Sequence, residues 1–66
     1  MNAKLMNLAR ARYAHCLALF EPWDALMNEA IAHDNDAAFC RALNGSSRWQ
    51  HMLVALEMMY GEGVRV

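Results

Sequence analysis

Five side chains in this sequence could hold a metal or pair a nucleophile with a base: His15, Cys16, His33, Cys40 and His51. Structural zinc usually takes ligands in close pairs separated by a short spacer. Here the close pair is His15-Cys16, and adjacent residues on a helix point in different directions. Cys–His catalysis would also need a pocket, an oxyanion site and a group that orients the base. The carboxylates Glu21, Asp24 and Glu29 lie on one acidic stretch. Acid–base chemistry would need at least two of them in an apolar cleft, whereas a solvated helix face is the plainer reading. Gly61-Glu62-Gly63 reads as a helix end, not as a phosphate cradle. No catalytic, metal-binding or cofactor-binding residue is expected, and enzyme is the least favoured class.

The elements that position these residues follow from length and composition. A chain of 66 residues holds one domain. A domain of this size is marginal alone and commonly gains stability from disulfides, a metal or a second subunit. Residues 1–20 lack a continuous apolar core, being interrupted by Lys4, Arg10 and Arg12, so no signal peptide is read there. A cytoplasmic, reducing location without disulfides is the expectation, and no apolar run reaches the ~18 residues of a membrane span. The composition is 58% hydrophobic and rich in Ala, Leu and Met, which are strong helix formers. Val and Ile are scarce, so strands are not expected.

The first helix, about 3–33, carries four heptads. With Met6 at position a, the a positions are Met6, Tyr13, Phe20 and Met27, and the d positions are Ala9, Cys16, Trp23 and Ala30. The flanking g positions are Leu5, Arg12, Leu19 and Leu26, and the e positions are Arg10, Leu17, Asp24 and Ile31. This apolar face is wider than a two-helix seam requires. One neighbour is the second helix of the same chain, and a second copy best supplies the other. Pro22 either starts a new helix or sits in a bent continuous one. It falls at outer position c and leaves the register of the seam intact, which favours the continuous helix.

His33-Asp34-Asn35-Asp36 marks the turn, about 33–37, with Asp34 and Asp36 as candidate N-caps. The second helix, about 37–60, has the seam Phe39, Ala42, Ser46, Trp49, Leu53, Leu56 and Tyr60, widened by Met52 and Met59. Gly45 suits a C-terminal cap, and Ser47 with Gln50 has the spacing of a capping box. The helix is therefore read either as one piece or as two, 36–44 and 47–60. Gly61 and Gly63 end it, and a frayed tail over 61–66 is expected. The fold expected is an all-α helical hairpin dimerising as a four-helix arrangement.

Net charge is −1, but the charges are segregated. Residues 1–20 carry bases and no acid, and residues 21–36 carry acids and no base. In an antiparallel hairpin the basic start would lie beside Glu57 and Glu62, and the acidic end beside Arg41 and Arg48. Such pairs choose orientation more than they add stability. A chain without net positive charge lacks the general phosphate attraction of a nucleic-acid binder. Two such readings remain as alternatives. One is a helix-turn-helix over Phe39 to Leu56, with Arg48, Gln50 and His51 facing base edges. The other is an RNA-binding hairpin dimer with a basic strip of Lys4, Arg10 and Arg12.

Met52, Val54, Met58 and Met59 make the end of the second helix apolar on nearly all sides, which suits an adaptable binding surface. Candidate partner contacts are Arg10, Arg12, Arg48, Met52, Met58 and Met59. The segments Leu8-Ala-Arg-Ala-Arg-Tyr13 and Leu19-Phe-Glu-Pro-Trp-Asp-Ala-Leu26 resemble small accessory proteins of bacteriophages. In particular they resemble the short helical anti-activators that temperate Pseudomonas phages use against quorum-sensing regulators and pilus motors. The resemblance implies a dimeric helical protein that occupies a functional surface of a host protein, such as a transcriptional regulator, and it carries over no binding residue. The chain is also similar to the plasmid repressor-of-primer hairpin, an RNA-binding four-helix dimer. It departs from that pattern in its proline, its two tryptophans and the interruption at Gly45.

Overall fold

The computed structural model describes residues 3–65. Two long helices, α1 (Ala3–Ala32) and α2 (Asp36–Tyr60), pack against each other as an antiparallel hairpin, followed by a short 3-10 turn, Glu62–Arg65. The molecule is a rod of 46 × 15 × 14 Å. Thirty residues of α1 at about 1.5 Å each account for its length. No helix among the described residues is long and apolar enough to cross a membrane.

The heptad seam is the packing surface. Ala9, Tyr13, Cys16, Met27 and Ala30 of α1 are buried, as are Ala42, Ser46, Leu53 and Leu56 of α2. Met6, Phe20, Trp23, Phe39, Trp49 and Tyr60 are half-buried along the same seam. Pro22 lies inside α1, exposed, and the helix runs through it. Its outward position explains this, because solvent can satisfy the carbonyl that proline leaves without a donor.

The hairpin closes with a Schellman motif. The Asn35 N–H donates to the Ala30 carbonyl at 2.8 Å, and the Asp34 N–H to the Ile31 carbonyl at 3.2 Å. Asp34 takes the left-handed position, with φ 50. The N-cap of α2 is Asn35, whose side-chain oxygen accepts from the Ala38 N–H at 3.1 Å. This corrects the expectation that Asp34 or Asp36 caps the helix. Asp34 is taken up in ending α1, and Asp36 is already the first residue of α2.

Gly45 does not break α2, which is one continuous helix. A Cβ on Gly45 would lie 2.6 Å from Cζ3 of Trp23. Glycine at 45 thus serves the close approach of the tryptophan ring, not a helix end. The capping box read from Ser47 and Gln50 is likewise absent. Ser47 Oγ donates back to the Asn44 carbonyl at 3.0 Å, a bond made within a running helix. Gln50 donates to Ser46 Oγ at 2.7 Å, and Ser46 Oγ donates to the Leu43 carbonyl, so this fully buried hydroxyl is satisfied.

The tail expected to fray over 61–66 is ordered over 61–65, and Val66 lies outside the described residues. Gly61, with φ 79, donates its N–H to the Glu57 carbonyl at 2.7 Å and turns the chain back. Val64 then packs at 1% exposure among Ala9, Tyr13, Cys16, Leu53 and Leu56. Burying that side chain contributes roughly 1.5–3 kcal/mol towards ordering the segment, and the hydrogen bonds of Arg65 to Glu57 and of Arg10 to the Gly63 carbonyl add to it.

Candidate interaction surface

The seam has two flanks, and they differ. On one side the α1 row Arg10, Leu17, Asp24 and Ile31 runs beside Leu43, Gln50 and Glu57 of α2. On the other the α1 row Leu5, Arg12, Leu19 and Leu26 runs beside Ala38, Gly45, Met52 and Met59 of α2. In an antiparallel pair, equivalent flanking rows lie side by side, which defines these faces. Tyr13 opposite Glu57 and Trp23 opposite Gly45 set the register.

The tail covers the first face at the open end of the hairpin. Glu57 receives a two-pronged hydrogen bond from Arg65, Nε and a terminal nitrogen each at 2.9 Å, and a third from Tyr13 Oη at 2.7 Å. Arg10 Nε donates to the Gly63 carbonyl at 2.9 Å. The guanidinium of Arg65 and then the Tyr13 hydroxyl hold the Glu57 carboxyl below its ordinary range. The same bond to Glu57, with burial and the carboxylate charge, pushes the Tyr13 hydroxyl up, and Glu57 raises Arg65.

This clasp revises the expected charge pairing. Glu57 is bound by Arg65 of the tail, and Arg10 bonds a backbone carbonyl instead of Glu57 or Glu62. At the turn end, Arg41 and Arg48 make no ion pair among the described residues; Arg48 lies over the Trp49 ring, 5.1 Å from its centroid.

The second face is bare. Leu5, Leu19, Leu26, Met52 and Met59 are all exposed. Towards the turn it hollows into an open groove of about 780 Å³, lined by Trp23, Leu26, Ala30, Ala38 and Ala42 with Glu29, His33 and Arg41 at its edges. Small side chains at 30, 38 and 42 leave the space, and Trp23 forms its wall.

The six candidate contact residues therefore separate. Arg10 is engaged in fastening the tail. Arg12, Met52 and Met59 belong to the bare face, so the methionines do not widen the buried seam as expected. Arg48 and Met58 lie on the outer side of α2 with His51 and Val54, and Met58 is 82% exposed. Sequence reasoning did not find the groove or Arg65. The one hint was Val64, an apolar residue in an otherwise glycine-rich and charged tail.

The residues with metal-binding or nucleophilic chemistry stay apart. Cys16 is buried in the seam and Cys40 is exposed. His15, His33 and His51 are all exposed. No group of three or more His, Cys, Asp or Glu placed to hold a metal is found among the described residues. With α2 unbroken, the turn of a helix-turn-helix over Phe39 to Leu56 is not formed. No known protein family, curated protein or solved structure matches the chain.

Proposed function

We propose that this chain is a non-enzymatic protein-binding modulator that works by occupying a functional surface of a cellular regulatory protein, as the phage-encoded inhibitors it resembles do. The observation that carries the reading is the outer stripe of α2, where Met58 and Val54 stand exposed beside His51 and Arg48. These residues recur at helical spacing, so they form one continuous strip. Helix-in-groove recognition uses anchors at this spacing. Methionine adapts its shape to a partner, and an arginine at the rim adds orientation. The Glu57 clasp holds this end of the helix in place, which lowers the ordering entropy of binding.

The test is capture from bacterial lysate with the tagged protein, with and without nuclease, comparing wild type with Met58→Asp and Val54→Asp. Both positions are solvent-exposed, so the variants fold. A stoichiometric protein that survives nuclease and is lost with either variant supports the reading. Capture that both variants retain removes the outer stripe. Retained nucleic acid whose binding falls steeply with salt replaces the reading with that of an RNA-binding hairpin.

A further inference from the structure

The bare face carries a second inference, independent of the outer stripe because it uses a different side of α2 together with α1. We infer that this face is the interface of an antiparallel homodimer, in which the Met52–Met59 ridge of each protomer seats in the Trp23–Ala38 groove of the other.

The face is self-complementary in shape. Its half near the open end of the hairpin is a ridge of Leu5, Leu19, Met52 and Met59. Its half near the turn is hollow, because Ala30, Ala38 and Ala42 are small. A two-fold axis perpendicular to the rod, passing near Leu19, places each ridge over the partner's hollow. In the register set by Tyr13–Glu57 and Trp23–Gly45, Met59 is level with the Arg10 turn of α1. The axis carries it to the level of Asn28, beside the groove. A two-fold along the rod would instead set ridge on ridge and leave both grooves empty.

Charge selects the same arrangement. Arg12 is the one charged residue in its row of α1, and it makes no hydrogen bond or ion pair among the described residues. The side chain of Glu29, at the rim of the groove, likewise makes no hydrogen bond or ion pair among the described residues. The perpendicular axis brings Arg12 of each protomer beside the partner's Glu29, twice over. The wider segregation of bases to residues 1–20 and acids to 21–36 is matched in the same way.

The area suffices. A fully overlapped face of 46 by 15 Å would cover at most roughly 700 Å² per protomer, about 1,400 Å² in all, which reaches the range of stable interfaces.

The experiment is the molar mass of the intact protein by light scattering, across a dilution series to sub-millimolar concentration. It compares wild type, Arg12→Glu, Glu29→Arg and the double exchange, with circular dichroism to verify helix content. A dimer is expected, its dissociation constant raised roughly tenfold by each single reversal and returned towards wild type by the double exchange. A protein that stays monomeric throughout overturns the proposal and leaves the face to a foreign helix or an apolar ligand. A dimer indifferent to both reversals, or one that the double exchange does not restore, overturns the antiparallel arrangement.

Discussion

The ring of Trp23 occupies the space that any side chain at position 45 would need, with three ring carbons within 2.9 Å of a Cβ built on Gly45. Those contacts are shorter than real Cβ atoms make. One of the hairpin's two tryptophans is thus seated on a bare stretch of the facing helix.

Gly45→Ala should therefore destabilise the protein, although alanine is favoured in a helix by about 1 kcal/mol. Overpacking of this kind costs about 1–3 kcal/mol, and the ring must move. The discriminating measurement is a double-mutant cycle by urea unfolding. In a Trp23→Ala background the same change should stabilise. A stabilising effect in the wild-type background would show that the ring moves freely.

Asp34→Gly should stabilise by about 0.5–1 kcal/mol. Asp34 holds the left-handed position that ends α1, with φ 50. Its negative charge also faces the negative end of that helix dipole. Glycine removes both penalties, less its own greater freedom in the unfolded chain. A thermal melt that does not rise would show that the Asp34 side chain contributes something glycine cannot.

Val64→Ala should cost roughly 2 kcal/mol, because the side chain is enclosed among Ala9, Tyr13 and Leu56. Ending the chain after Gly61 should cost more, since it also removes Arg65 from Glu57 and Gly63 from Arg10. Hydrogen exchange gives a second readout: amides near Tyr13 and Leu56 should open in the truncated chain. Unchanged protection would mean the tail does not hold the core.

Stability should fall on acidification. The folded Glu57 carboxyl titrates below its ordinary value of 4.5. Its contribution is complete above that value and is lost as pH drops through the lowered one. Tyr13 acts at the other end of the scale. Its raised value means a contribution complete below pH 10.0 and lost as pH climbs from there through the folded value. Glu57→Gln should flatten the acid limb of a denaturation-midpoint-against-pH curve. A limb of unchanged steepness would assign it to other carboxylates.

The sequence by itself determined the hairpin and its seam. Heptad spacing is a local property, and every seam position from Met6 to Ala30 and from Phe39 to Tyr60 is buried or half-buried. Pro22 was legible for the same reason, since its place in the heptad already pointed it outwards. Gly45 was not, because glycine and serine signal a helix end only through local preference. What keeps α2 whole is its packing against α1, and what requires glycine is an aromatic ring from a residue 22 positions earlier. The tail was illegible likewise: a glycine-rich segment reads as loose until Val64 finds a gap that exists only once both helices have packed. The two flanks of the seam were alike in spacing. Tertiary structure alone decided that the tail covers one and leaves the other bare, because Arg10 and Glu57, which fasten it, share a single face.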